Sequence, residues 1–331
     1  VMMGLISLPA MLRAGYDARL ATGVIAGAGT LGQIIPPSIV LVILGDTLQG
    51  AHQKAALAMG DFAPDTVSVV DLFAGALLPG LVLVALYLLF QVWTAWRRPE
   101  RCPPLADSAP PSVRQLLGSL VAPALLILAV LGTILLGFAT PTEAAGVGAS
   151  GALVLALLRG RLDARRLAAI ADEAVRMTAM IFTVIIGASV FSLVFVGLDG
   201  ERLISDALAS LPGGQGGALL VVMLVVFALG FVLDFVEICV IVVPLLAPPL
   251  ITMGVEPLWL GVLLALNLQT SFLTPPLGPT LFYLRAVAPA AVPTGVIYRG
   301  AVPFVALQLL GLAVVWAFPA LATWLPAALF S

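Results

Sequence analysis

Apolar runs long enough to cross a lipid bilayer recur along the whole sequence. A membrane helix needs about 20 mainly apolar residues to cross about 30 Å of hydrocarbon. Runs of about this length occupy residues 20–44, 72–96, 116–138, 142–158, 175–196, 258–284 and 301–318. The composition agrees, because only 10% of the residues are charged and soluble domains have about 25%. The sequence therefore predicts an all-α integral membrane protein.

Two further apolar segments have the wrong length for a single crossing. Residues 1–11 are too few, and residues 218–251 are too many and are interrupted by Asp234, Glu237 and three prolines. A chain can turn back at membrane depth only where protein or water satisfies its backbone polar groups. We therefore predict a re-entrant hairpin for residues 218–251 and the returning leg of another for residues 1–11.

The basic residues predict the orientation of the chain, because Lys and Arg in short loops prefer the cytoplasm. With both hairpins in place, all basic residues except Lys54 and Arg202 fall on one side, which is 13 of the 15. They are Arg13, Arg19, Arg97, Arg98, Arg101, Arg114, Arg159, Arg161, Arg165, Arg166, Arg176, Arg285 and Arg299. That side is predicted to be cytoplasmic, and the polar segments 45–70 and 199–217 external. The net charge of -2 and the scattered arginines argue against nucleic-acid binding.

The sequence also resembles itself at a separation of 239 residues. Five residues match five others in order and without a gap: Pro9, Gly15, Asp17, Pro36 and Pro37 with Pro248, Gly254, Glu256, Pro275 and Pro276. Each copy reads as a hairpin leg, a turn with a glycine, a membrane helix and a Pro–Pro break. The arginine pattern orients the copies oppositely, as in the inverted repeats of secondary transporters. The tip of the first hairpin would precede residue 1, so we expect the N-terminal part of a longer protein to be absent.

This organisation divides the chain into six segments. Residues 1–44 are the first repeat, with a hairpin leg and a broken helix, and residues 45–96 are an external loop and a scaffold helix. Residues 97–115 are a Pro- and Arg-rich cytoplasmic linker, and residues 116–216 are scaffold and connecting helices. Residues 217–284 are the second repeat, with a hairpin and a broken helix, and residues 285–331 are a C-terminal helix.

The Pro–Pro pairs are the predicted chemical centres. Each pair removes two backbone donors, so the carbonyls of Gly32 and Gln33 in the first copy, and of Ser271 and Phe272 in the second, lose their helical partners. Side-chain oxygens and amides cluster at the same points: Thr30, Gln33 and Ser38, and Asn267, Gln269, Thr270, Ser271 and Thr274. Unwound carbonyls at broken helices coordinate Na⁺ in transporters. A proline kink satisfied by neighbouring side chains is the alternative, but breaks at equivalent positions of both copies favour ion sites.

Asp234 and Glu237 lie inside an apolar segment, where a charge costs at least about 2.5–3.5 kcal/mol; such a cost usually marks function. Glu143 reads instead as a helix-capping residue, and His52 as a surface residue in the external loop. Cys102 and Cys239 are too few for a disulfide framework or a metal cluster.

Three motifs resemble the large membrane subunit of tripartite ATP-independent periplasmic (TRAP) transporters. They are residues 27–38 (GAGTLGQIIPPS), 139–145 (ATPTEAA) and 267–278 (NLQTSFLTPPLG). The resemblance implies a Na⁺-driven translocating subunit of the bacterial inner membrane, with no cofactor besides the coupling ion. It implies two partners, a small membrane subunit and a periplasmic solute-binding protein. It also implies an elevator mechanism and organic acids bearing a carboxylate as solutes.

The resemblance implies two ion sites. The first would use Thr30, Gly32, Gln33, Pro36 and Ser38, and the second Asp234, Asn267, Ser271, Thr274 and Pro276. A standalone Na⁺:anion symporter of the same architecture and a structural scaffold remain open alternatives. An intramembrane aspartyl hydrolase would need a second membrane aspartate to share a proton with Asp234, and no other span offers one, so we predict that the chain is not an enzyme.

Overall fold

Helices make up the regular structure of the computed structural model. It describes residues 1–64, 67–104, 113–160 and 162–330, with their side chains except those of residues 113–119. The helices are α1 (Met2–Arg13), α2 (Ala18–Leu31), α3 (Ile39–Ala58), α4 (Val69–Arg97), α5 (Val113–Leu135), α6 (Pro141–Leu158), α7 (Ala164–Gly197), α8 (Gly200–Ala209), α9 (Gly214–Leu229), α10 (Phe235–Glu237), α11 (Val243–Thr252), α12 (Pro257–Leu273), α13 (Pro279–Val287), α14 (Thr294–Ala317) and α15 (Ala320–Phe330). A 3-10 helix (Pro99–Arg101) follows α4, and a π-helical turn (Ile238–Val242) joins α10 to α11. No strand occurs in these ranges, so the all-α prediction is confirmed.

Within the described ranges, five helical stretches are long and apolar enough to cross a membrane: α4, α6, α7, α14 and Phe235–Thr252. The first four cover predicted apolar runs. Two helices extend beyond those runs, because residues that are polar but favour helices continue them. Helix α7 begins at Ala164, and α3 continues to Ala58. Part of the segment predicted as an external loop is therefore helical, and His52 lies half-buried on α3 instead of in a loop.

The chain forms two compact units. Residues 107–194 form one of them, in which α5 packs against α6. Helix α6 begins with a capping box, since Thr140 and Glu143 each accept a backbone N–H from the other. The capping interpretation of Glu143 is thus confirmed. Both α6 and α7 leave most of their apolar surface exposed, as expected for helices that face lipid or another membrane protein. Of the predicted linker over residues 97–115, residues 105–112 and the side chain of Arg114 lie outside the described residues, as does Arg161.

Residues 1–106 and 195–331 form the other unit, which contains both copies of the repeat. The turns that precede α2 and α12 are the same. Gly15 and Gly254 both have positive φ, +83° and +96°, which favours glycine. The N–H groups of Gly15 and Tyr16 donate to the carbonyls of Leu12 and Met11. At the equivalent positions the N–H groups of Gly254 and Val255 donate to Ile251 and Leu250, so each turn ends a helix in the manner of a Schellman motif.

An acidic residue then starts the next helix in each copy. The carboxylate of Asp17 accepts the N–H of Leu20 at 2.9 Å, and that of Glu256 accepts the N–H groups of Leu258 and Trp259. These are N-cap interactions, which satisfy donors that the first turn of a helix leaves unpaired. Helices α2 and α12 consequently begin at equivalent residues, Ala18 and Pro257.

Both membrane helices break where the Pro–Pro pairs predict. Helix α2 ends at Leu31 and α3 begins at Ile39, and α12 ends at Leu273 and α13 begins at Pro279. The Pro36–Pro37 and Pro275–Pro276 bonds are both cis. The repeat thus extends from the amino-acid sequence to the backbone. Its inverted orientation in the membrane stays a prediction.

Helix α9 and the stretch Phe235–Thr252 are the two legs of the second hairpin, and they pack against each other. Between them the chain turns at Gly230–Leu233, where the N–H of Leu233 donates to the carbonyl of Leu229 at 2.8 Å. The helix–turn–helix is as predicted. That its legs re-enter the membrane instead of crossing it stays a prediction.

Candidate functional site

The tip of the second hairpin is organised by its two acidic residues. Asp234 is the N-cap of α10, and its carboxylate accepts the N–H of Phe235 at 2.8 Å. The carboxylate of Glu237 accepts the N–H of Asp234 at 3.1 Å, which completes a capping box. The side chain of Asp234 is exposed, and its hydrogen bonds stay within this turn. Sequence reasoning missed this capping role, although the spacing of the two acids is that of a capping box.

The end of α12 packs directly against the hairpin. The side-chain amide of Asn267 donates to the carbonyl of Met223 in α9 at 2.8 Å. One turn later, Ser271 lies against Gly230, the residue that ends α9. A Cβ atom added to Gly230 would overlap both the Oγ and the Cβ of Ser271, so the absence of a side chain at Gly230 permits the contact. Asn267 and Ser271 are both buried.

Helix α12 is then interrupted, with further hydroxyls around the break. The Thr274 hydroxyl donates to the carbonyl of Thr270 at 2.7 Å, and the Tyr298 hydroxyl of α14 donates to the carbonyl of Pro276 at 3.0 Å. Of the residues predicted for the second ion site, Asn267 and Ser271 contact the hairpin leg and its tip. Thr274 and Pro276 lie beyond them along the break, and Asp234 lies in the turn of the hairpin.

At the first break, a hydrogen bond joins two residues of the segment between α2 and α3. The hydroxyl of Ser38 donates to the carbonyl of Gln33 at 2.6 Å and accepts the N–H of Leu41 at 3.4 Å. Ser38 therefore bridges the break and caps α3. Gly32 is exposed, whereas Pro36 and Ser38 are buried. The structure thus brings Gln33 and Ser38 of the predicted first site together.

The four carbonyls lose their i+4 helical donors, as the prolines predict, but two of them accept other hydrogen bonds. The carbonyl of Gln33 accepts the hydroxyl of Ser38, and that of Ser271 accepts the N–H of Thr274 at 3.1 Å. The reason is that a chain leaving a helix can tighten its last turn or recruit a nearby hydroxyl. In the part of the chain that the structure describes, the carbonyls of Gly32 and Phe272 have no hydrogen-bond donor. Each break therefore presents one unpaired carbonyl.

Thr30 belongs to a different group of residues from the one predicted. Its hydroxyl donates to the carbonyl of Gly27 at 2.8 Å and accepts the side-chain N–H of Gln308 at 2.9 Å. The side-chain nitrogen of Gln269 lies 3.5 Å from the same hydroxyl, and the Tyr87 side chain faces all three residues. We call Thr30, Tyr87, Gln269 and Gln308 the central polar cluster. All four are nearly inaccessible, with at most 3% of their surface exposed.

The central polar cluster joins the two copies. Thr30 and Gln269 are equivalent residues of the repeat, 239 positions apart. Two equivalent residues can touch only beside the axis that relates them, so a twofold axis relating the copies would pass between these side chains. Three buried atoms of the cluster lack a hydrogen-bond partner in the structure: the Tyr87 hydroxyl and the Oε1 atoms of Gln269 and Gln308. Sequence reasoning missed Tyr87 and Gln308, whose only signal is a polar group inside an apolar run.

The chain resembles known proteins over nearly its whole length. Residues 1–321 match the sequence model of the family described as "Tripartite ATP-independent periplasmic transporter, DctM component". The C4-dicarboxylate TRAP transporter large permease protein DctM of Pseudomonas aeruginosa is 30% identical over 98% of this chain and 71% of that protein.

The names of two other relatives specify different substrates. The sialic acid TRAP transporter large permease protein SiaM of Vibrio cholerae is 26% identical over 98% of this chain and 71% of that protein. The 2,3-diketo-L-gulonate TRAP transporter large permease protein YiaN of Escherichia coli is 27% identical over 94% of this chain and 68% of that protein. Together with the five stretches that could cross a membrane, these matches place the chain in the bacterial inner membrane. It belongs to the DctM family, the large permease subunits of TRAP transporters.

Proposed function

We propose that this chain is the translocating subunit of a Na⁺-coupled importer of small organic acids. The observation that carries the proposal is the pair of equivalent Pro–Pro breaks, one of which is covered by a hairpin tip through the contact of Gly230 with Ser271. Broken helices beside a hairpin combine unpaired carbonyls with helix ends, and transporters use this combination to bind a coupling ion and an anionic solute.

In the proposed second ion site, Na⁺ binds to the Phe272 carbonyl, the Ser271 hydroxyl and further oxygens of Asn267, Thr274 and the hairpin tip. Asp234 acts through its charge, because its carboxylate is already engaged by the backbone. In the proposed first site, Na⁺ binds to the Gly32 carbonyl and to the second lone pair of the Gln33 carbonyl, beside Ser38. Thr30 is not a ligand in this proposal, because its hydroxyl oxygen already accepts the side-chain N–H of Gln308, whereas the hydroxyls of Ser271 and Thr274 only donate.

The proposed solutes carry a carboxylate. The names of three relatives specify a C4-dicarboxylate, sialic acid and 2,3-diketo-L-gulonate, which all carry a carboxylate, whereas the name of a fourth specifies isethionate, a sulfonate. Helix α13 begins directly after the second break, and no side chain caps its first turn. The helix dipole favours an anion at such a position, so this helix end is our candidate for the solute carboxylate.

TRAP large permeases work with a small permease subunit and a periplasmic binding protein. We propose that this chain does so as well, and that its two hairpins move together in an elevator-type step. The exposed apolar faces of α6 and α7 provide surface for lipid or for a membrane partner.

The proposal is tested by Na⁺ titration of solute uptake in proteoliposomes. Replacing Pro275 and Pro276 by Ala restores two N–H donors, which can pair with the carbonyls of Ser271 and Phe272. We expect normal insertion with a higher Na⁺ concentration at half-maximal uptake. The same change at Pro36 and Pro37 should act in the same direction at the first site.

The matched control is Pro123→Ala, which changes an exposed proline inside the unbroken helix α5 and should leave the titration unchanged. An unshifted titration at both breaks, with normal insertion, would contradict the ion sites. Uptake at the full rate without a binding protein would instead support the standalone symporter.

A further inference from the structure

A cavity of about 430 Å³ lies between the start of α2, the end of α4 and the first half of α14. Four arginines line it: Arg19, Arg98, Arg101 and Arg299. They come from α2, from the end of α4 and the 3-10 helix after it, and from α14. We call it the arginine cavity. It is separate from both Pro–Pro breaks and from the central polar cluster.

Among the described lining residues, acidic groups do not balance the charge of the arginine cavity. Asp17 is the one acidic residue in its lining, and its carboxylate caps α2 by accepting the N–H of Leu20. Among the described residues, none of the four arginines forms an ion pair. Several guanidinium groups around one space favour a ligand with several anionic oxygens, and phosphate fits guanidinium geometry in particular.

Backbone contacts fix the segments that carry the arginines against one another. The carbonyl of Arg101 accepts the N–H of Asp17 at 2.9 Å, which fixes the segment after α4 against the start of α2. Helices α2 and α14 touch through Gly23 and Gly300. A Cβ atom on Gly300 would come within 2.7 Å of the Thr22 hydroxyl. Small residues permit such close contact between membrane helices. Arg19 and Arg299 therefore project from two helices whose spacing is fixed.

The remaining wall of the cavity is aromatic and lies at the end of a membrane span. Phe90 stacks edge-on against Phe304 at 5.4 Å between ring centres and lies 6.2 Å from Trp93. Trp93 is half exposed, and tryptophan at the end of a span marks the membrane interface. The arginine pattern places this end on the cytoplasmic side. A cationic site with an apolar wall at that interface fits the phosphate of a lipid and the beginning of its acyl chains. A free anion would contact the arginines but has no apolar part to pack against the wall.

We propose that the arginine cavity binds the headgroup phosphate of an anionic phospholipid of the cytoplasmic leaflet. Basic pockets between membrane helices on this side bind acidic lipid headgroups in other proteins. The bound lipid would neutralise the arginines and tie the end of α4 to α2 and α14. This inference needs the membrane location of the chain and the orientation predicted from its arginines, but it does not depend on the Na⁺ coupling proposed above.

The test is native mass spectrometry of the full-length protein with phosphatidylglycerol. We expect a saturable bound lipid in the unmodified protein and little binding of phosphatidylcholine. The double variant Arg19→Gln/Arg299→Gln should bind phosphatidylglycerol about 25-fold more weakly, from about fivefold for each charge. The control Arg165→Gln/Arg176→Gln removes the same charge from α7 and should bind as the unmodified protein does.

Three results would overturn the proposal. One is an equal loss of binding in the control variant, and another is equal binding of phosphatidylcholine. The third is complete displacement of the lipid by millimolar glycerol phosphate, which would identify a site for free anions. Arg19→Lys/Arg299→Lys keeps both charges and should retain most of the binding, so a folding defect in the Gln variant would not hide the answer.

Discussion

At the first Pro–Pro break the observed contacts come from within the break, whereas at the second they also come from a hairpin. At the first, Ser38 pairs with the Gln33 carbonyl, and Gly32 is exposed. At the second, Gly230 of the hairpin lies on Ser271, and Tyr298 holds the Pro276 carbonyl. The backbones of the two copies are nevertheless alike from the glycine turn to the cis Pro–Pro bond. Local sequence thus sets the backbone of a break, whereas the contacts that cover the second break come from residues distant in the chain.

The largest effect is expected from a side chain at the hairpin tip. Gly230→Ala would place a Cβ atom against the Oγ and Cβ of the buried Ser271, and overpacking of this kind costs about 1–3 kcal/mol. We expect a lower Tm in detergent, and a loss of Na⁺-dependent uptake that is larger than for the variants described below. Gly216→Ala in the same helix is the control, since a Cβ atom there meets no other atom. Equal behaviour of both variants would show that the hairpin does not rest on the break.

Ser38→Ala should have the next largest effect, and on stability above all. It removes the cap of α3 and the bridge to Gln33, and loss of an N-cap costs about 0.5–2 kcal/mol. The control is Thr47→Val. It removes a hydroxyl that is bonded only to the carbonyl of Ile43 in the middle of α3, so neither a helix cap nor a bridge across a break is lost. Thermal unfolding measures the difference.

Ser271→Ala should show the opposite pattern to Ser38→Ala. The hydroxyl of Ser271 donates only to the carbonyl of Leu268 within its own helix, so its loss should cost little stability. Na⁺ affinity should fall instead, because the proposed second site loses a ligand. If the two serines shift Tm and the Na⁺ titration in the same proportion, the distinction between the breaks fails.

The features that sequence reasoning predicted are those that depend on neighbours along the chain. The turns at Gly15 and Gly254 could be predicted because glycine is favoured at positive φ. The helix breaks could be predicted because proline lacks an N–H. Asp17 and Glu256 were matched as equivalent residues of the repeat, and their N-cap role involves only the first turn of the next helix. The length of α3 was underestimated, since hydropathy reports burial in lipid and α3 continues as a more polar helix. Each of these features is set within a few residues.

The Asp234–Glu237 capping box was missed although it is local, but the other missed contacts depend on residues far apart in the chain. Thr30 was assigned to the first break, yet its hydrogen bonds run to Gln269 and Gln308, which lie more than 200 positions away. Tyr87 and Gln308 carry no motif. Their role follows from the packing of α4 and α14 around the repeat, and a single sequence contains no measure of that packing.

Asp234→Asn should have the smallest effect on stability and is the most direct test of charge at the second break. Asn caps helices about as well as Asp, so we expect the free energy of unfolding to change by no more than about 0.5 kcal/mol. The exposed carboxylate acts on a nearby Na⁺ through solvent, where an interaction at about 4 Å is worth about 1 kcal/mol. The Na⁺ concentration at half-maximal uptake should therefore rise about fivefold. Asp71→Asn, in the capping box that starts α4, provides the control and should leave this concentration unchanged. If Asp234→Asn also leaves it unchanged while the protein inserts normally, Asp234 only caps α10, and the second ion site is built from neutral oxygens alone.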